Sequence, residues 1–71
     1  MTASDLKIGE TKSIIAFSDD TLSLKLIEMG CLPGNQISLN YIAPLGDPMC
    51  VHVEGYDLSI RKSEAATIII E

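Results

Sequence analysis

Hydrophobic residues recur at every second position in three stretches of this chain, and at every third or fourth position in one. Over 35–43, Ile37, Leu39, Tyr41 and Ala43 alternate with Gln36, Ser38, Asn40 and Ile42. Over 49–54, Met49, Val51 and Val53 alternate with Cys50, His52 and Glu54, and over 56–61, Tyr56, Leu58 and Ile60 alternate with Asp57, Ser59 and Arg61. A period of two predicts strands with one buried face and one wet face. Gly55 between the last two predicts a tight hairpin. Residues 11–17, β-branched and aromatic, predict a strand. Residues 6–10 predict a short opening strand that ends in a turn at Gly9. Residues 67–70 close the chain with a last strand, apolar enough to be covered on both faces or nearly so.

The period changes after residue 18. Asp19 and Asp20 can accept the orphan N–H groups of a first helical turn, so they are N-cap candidates. A helix is predicted from Thr21 to Met29, with Gly30 as the left-handed residue that ends it and Pro33 blocking continuation. Leu22, Leu26 and Met29 form one stripe facing the core. Leu24 and Ile27 lie on roughly the opposite side. Either a loop folds over them or they belong to a partner surface. Residues 63–66 suit one helical turn capped by Ser63. So few short strands cannot make two full sheets. Curling one antiparallel sheet buries one face and removes exposed edges. The expected fold is mostly β: a small SH3-like barrel with one inserted α-helix and a short helical turn near the C-terminus.

The chain has 71 residues, which allows one domain over 1–71 at the low end of independent stability. Apolar residues make up 46% and Trp is absent, so the core must be built from Ile, Leu and Val. The net charge is −5. Nucleic-acid binding draws on Lys and Arg neutralising phosphates, and anionic membranes need the same chemistry, so neither partner is expected. No segment approaches the ~20 apolar residues that span a bilayer. The N-terminus lacks a signal-peptide pattern. Cys31 and Cys50 do not make a disulfide framework, which points to the cytosol with both thiols reduced.

Little in the chain could carry chemistry. Cys50, His52 and Glu54 share one strand face at i, i+2 and i+4, and all three are plausible ligands for zinc or another divalent ion. No second ligand pair accompanies them, and alternation places them on the wet face, so a solvated polar face is the expectation and no metal or cofactor is assigned. The sole histidine has no convincing nucleophile partner, and the glycines are dispersed singly, so an enzyme is not expected. Cys31, between Gly30 and Leu32, reads as a small apolar side chain.

Two turn segments stand apart. In 29–34, Gly30, Pro33 and Gly34 have reasons in backbone geometry, but Leu32 does not. In 44–48, Pro44 and Pro48 cannot donate ladder hydrogen bonds and so bracket a loop, with Gly46 and Asp47 making its turn. Leu45 sits near the tip, either as a lid folded onto the barrel end or as a partner contact.

The run Lys25-Leu26-Ile27-Glu28-Met29-Gly30-Cys31-Leu32-Pro33-Gly34, followed by Ala43-Pro44-Leu45-Gly46-Asp47-Pro48, resembles the FeoA family, small cytosolic partners of the bacterial ferrous iron transporter FeoB. Leu58 to Ala65 also fits that family's penultimate strand and closing turn. Cys31 departs from the usual aliphatic residue. The resemblance runs from about Leu6 to Ile70. It implies an SH3-like fold and a cytoplasmic accessory role in FeoB-dependent iron uptake, through contact with the transporter's cytosolic part. It makes Leu24, Ile27, Leu32, Pro44, Leu45, Gly46, Asp47 and Pro48 the candidate contact residues, and leaves a weak homo-oligomer open. It also fits the related SH3-like domain that ends metal-dependent repressors of the DtxR kind. The chain starts at Met1 with no DNA-binding part, so a stand-alone protein is expected over that alternative, a metal-sensing domain.

Overall fold

The computed structural model describes all 71 residues. A 3₁₀ turn, Ala3–Asp5, precedes five strands and two helices: β1 (Thr11–Phe17), α1 (Asp20–Glu28), β2 (Gln36–Ile42), β3 (Met49–Val53), β4 (Tyr56–Ile60), α2 (Lys62–Ala65) and β5 (Ile68–Ile70). The strands form one antiparallel sheet in the order β4-β3-β2-β1-β5, with α1 inserted between β1 and β2. The sheet is strongly curled but not closed. α2 connects its two edge strands, β4 and β5. Fourteen buried residues fill the concave side; the larger ones are Ile, Leu, Val and Met, and Phe17 packs partly against them.

Local chemistry sets the ends of α1. Asp19 Oδ1 accepts from Leu22 N–H at 2.9 Å. At the other end Gly30, at φ 101°, donates to Ile27 O at 3.0 Å while Cys31 donates to Leu26 O at 2.9 Å. This pair of bonds is the Schellman arrangement, which needs a residue tolerant of positive φ. Leu26 is fully buried, and Met29 packs partly against the core. The β3–β4 hairpin turns through Glu54 (φ 51°) and Gly55 (φ 84°), both left-handed as a two-residue type I′ turn requires.

Four expectations fail, each for a local reason. Residues 6–10 do not form a strand: Ile8 makes a single bridge to Leu39. The segment folds back on itself instead, with Lys7 N–H bonded to Glu10 Oε1 (3.0 Å) and Glu10 N–H to Lys7 O (2.9 Å). Tyr41 is not buried. Leu39 pairs with Val51 but Tyr41 pairs with Cys50, so Asn40 is the extra residue of a β-bulge. The bulge reverses the parity of β2 and turns Tyr41 onto the wet face. Tyr56, at the start of an edge strand, is uncovered and exposed. α2 begins at Lys62, with Arg61 rather than Ser63 at its cap, and Glu64 Oε1 accepts from Arg61 N–H at 2.8 Å.

Candidate functional site

The loop between β2 and β3 is a braced turn. Gly46 N–H donates to Ala43 O at 2.7 Å and Ala43 N–H to Pro48 O at 3.0 Å. Pro44 and Leu45 are the central residues of that turn, and the Asp47–Pro48 peptide is cis. Leu45 is 97% exposed. It is no lid on the barrel end, because the turn that carries it holds its side chain clear of the core. Asp47 Oδ1 accepts from Lys62 N–H at 2.7 Å, which fastens the loop to the first residue of α2.

α2 is fastened to α1 in turn. Lys25 Nζ lies 2.7 Å from Glu64 Oε2. Glu64 is the one buried charged side chain; the Lys25 hydrogen bond, then the Arg61 N–H, hold its carboxyl below the usual glutamate range. α2 therefore joins the two segments that the sequence singled out separately. Leu24 is 67% exposed and Ile27 is also exposed, so no loop covers the outer face of α1. Pro44, Asp47 and Pro48 are exposed and Gly46 is half-buried. Leu32 is exposed in the turn leading to β2, a turn braced by Asn35 Nδ2 on Gly30 O at 3.1 Å, and it has no tie to α2. The exposed Tyr41 and Ile42 at the base of the loop were missed. Alternation alone had placed Tyr41 inside, and no feature of the sequence marks the bulge.

The second candidate set behaves differently. Cys50, His52 and Glu54 do face outward, but no group of three or more His, Cys, Asp or Glu is arranged to hold a metal ion. Cys50 lies beside Tyr41, whose hydroxyl it pushes above the usual tyrosine range by hydrogen bonding, and 4.0 Å from Asn40 Nδ2. His52 Nδ1 pairs instead with Asp57 Oδ1 on β4 at 2.7 Å, and Asn40 Nδ2 donates to the same oxygen at 3.0 Å. The His52 bond, then the Asn40 bond, lower the Asp57 carboxyl's pKa. Glu54 stands apart in the hairpin turn. Cys31 is buried as a small apolar residue, and burial pushes its thiol pKa up.

A family model, the FeoA domain, matches residues 1–71. The chain belongs to the FeoA family. It is 32% identical over 72 residues to the Fe(2+) transport protein A/Fe(2+) transporter FeoB fusion protein of Porphyromonas gingivalis (strain ATCC BAA-308 / W83). That match takes in 100% of this chain and 8% of that much longer protein. The FeoA-like protein of Clostridium acetobutylicum superposes with a TM-score of 0.93 at 32% identity, over 100% of this chain and 84% of the other. Stenotrophomonas maltophilia FeoA, described as an SH3 domain protein, superposes with a TM-score of 0.85 at 24% identity, over 100% and 89% of the two chains. The curled five-stranded sheet is thus the family's SH3-like fold. No helix is long and apolar enough to cross a membrane.

Proposed function

We propose that this protein is a non-enzymatic cytoplasmic accessory factor for ferrous iron uptake, acting by contact with the cytosolic part of an FeoB-type transporter. Leu45 carries the reading. A leucine held 97% exposed on a turn with three bracing hydrogen bonds contributes nothing to the core, yet is presented in one fixed position. Pre-organised apolar residues of this kind serve as anchors, because little entropy is lost when a partner pocket closes on them. Leu24 and Ile27 are exposed on α1, which α2 ties to the loop carrying Leu45, and Leu32 lies just beyond α1. The P. gingivalis protein, in which an FeoA region and FeoB share one chain, supports a transporter as the partner. The charge of −5 favours a basic docking face and disfavours nucleic acid.

Leu45→Glu and Leu24→Glu are each expected to weaken calorimetric binding to the transporter's cytosolic region about tenfold or more, with circular dichroism unchanged. If both folded variants bind like wild type, this surface is not the contact.

A further inference from the structure

We infer that two copies of this chain associate weakly through the free edge of β4, the two β4 strands pairing antiparallel about a twofold axis at Leu58. The two edges of the sheet are finished differently. The N-terminal segment covers the outer side of β5: Thr2 bridges Ile69, and Ile70 N–H donates to Met1 O at 3.0 Å. β4, at the other edge, pairs with β3 alone. The two-residue turn makes Val53 and Tyr56 a hydrogen-bonded pair, so Tyr56, Leu58 and Ile60 direct their backbone groups at β3. Asp57 and Ser59 direct theirs outward, and no turn, loop or side chain bonds them.

Edge strands are commonly blunted by Lys, Pro or a bulge. β4 reads Tyr-Asp-Leu-Ser-Ile and its register with β3 is unbroken, so it has none of these. Its single charge lies over the sheet: Asp57 Oδ1 is 2.7 Å from His52 Nδ1 and 3.0 Å from Asn40 Nδ2. The edge is therefore an open template for another strand.

Its own sequence is the strand that fits. With the axis at Leu58, Asp57 pairs with Ser59 of the second copy, and Ser59 with its Asp57. Every outward N–H and C=O of β4 then has a partner. The Ser59 hydroxyl meets Asp57 Oδ2, which has no bond within the chain. On the other face Leu58 meets Leu58, and Tyr56, 71% exposed in the single chain, lies opposite Ile60.

Charge selects the same arrangement. Glu54 stands at one end of the strand, and Arg61 and Lys62 stand at the other, all exposed and none in an ion pair. Antiparallel pairing brings Glu54 of each copy beside Arg61 and Lys62 of the other. The stretch 54–62 is neutral, whereas the whole chain carries −5, so the remaining surface repels a second copy. Other axes fit worse. An axis at Asp57 sets two carboxylates opposite each other. An axis at Ser59 sets Asp57 against Arg61, whose N–H is already given to Glu64 at 2.8 Å. A contact along one short edge falls below the ~1,200 Å² of stable complexes, so the dimer is expected to be weak and exchanging. The inference does not depend on the transporter reading.

Sedimentation equilibrium and amide chemical shifts of the chain alone test it, from about 10 μM to 1 mM. The mass is expected to rise from monomer towards dimer across that range. The amide protons of Asp57 and Ser59 should move downfield with concentration, while those of β5 and of the Pro44–Pro48 loop stay fixed. Ser59→Pro removes only an unpaired N–H and should stay monomeric with the fold intact. Glu54→Lys should weaken association about tenfold, although it lowers the net repulsion between copies, and Glu54→Lys with Lys62→Glu should restore it. Leu45→Ala should associate as wild type. The inference is overturned if the mass stays monomeric to about 1 mM, if association leaves the Asp57 and Ser59 amides unmoved, or if Ser59→Pro or Glu54→Lys associates like wild type. It is also overturned if the chain alone stays monomeric while Ser59→Pro loses binding to the transporter's cytosolic region, because the edge would then take a transporter strand instead.

Discussion

Leu26→Ala is expected to lower the unfolding free energy by about 2–5 kcal/mol. Leu26 is fully buried at the centre of the α1 stripe, and the Schellman bond from Cys31 N–H ends on its own carbonyl at 2.9 Å. Truncation removes apolar contacts and leaves a cavity that the close-packed sheet cannot collapse to fill. A domain of this size has a total stability of about 4–11 kcal/mol, so the loss would leave it marginal at body temperature. Urea denaturation should show a lower midpoint with an unchanged m-value. Leu24→Ala, two residues earlier on the exposed face, should fall within about 0.5 kcal/mol of wild type. A cost below about 1 kcal/mol for Leu26→Ala would mean that α1 is not docked on the sheet as described.

Glu64→Gln is expected to cost about 1–3 kcal/mol near neutral pH. The carboxylate is buried and has two partners, Lys25 Nζ at 2.7 Å and Arg61 N–H at 2.8 Å. Glutamine keeps an acceptor for Arg61 but loses the charge-assisted bond to Lys25. Because Lys25 is exposed, salt should screen part of the effect. The pH dependence gives the sign. Glu64's folded-state pKa lies below its unfolded value, led by the Lys25 bond, so its contribution is fully present above about pH 5. It is lost as the pH falls through the lowered folded-state pKa. The stability gap between wild type and variant should therefore close on acidification, and urea midpoints across that range would show it. A gap independent of pH would mean that Glu64 acts by packing alone. The same variant weakens the one side-chain tie between α1 and α2, while Leu26 keeps α1 docked on the core.

These two residues differ in how legible they are. Leu26 could be assigned to the core from the spacing of Leu22, Leu26 and Met29. Glu64 could not, because a glutamate in a short turn resembles any solvated residue until Lys25, 39 positions away, is brought beside it. The candidate surface divides the same way. Leu24 and Leu45 stood out because each is apolar where solvent prefers polarity. That α2 ties their elements together follows only from the Asp47–Lys62 and Lys25–Glu64 bonds.

The sequence by itself determined what depends on near neighbours. Asp19 and Gly30 set the ends of α1, alternation set the faces of β3, and Gly55 set the hairpin, because capping bonds, strand pleat and positive φ are local properties. The paired glycine–proline segments also pointed to the FeoA family. The tertiary structure alone decided the bulge at Asn40 that expels Tyr41, the pairing that separates His52 from Cys50 and joins it to Asp57, and the full exposure of Leu45. Each depends on register between strands or on what covers a given face. A one-residue shift in a ladder moves every following side chain to the opposite face, and no local pattern records where that shift occurs.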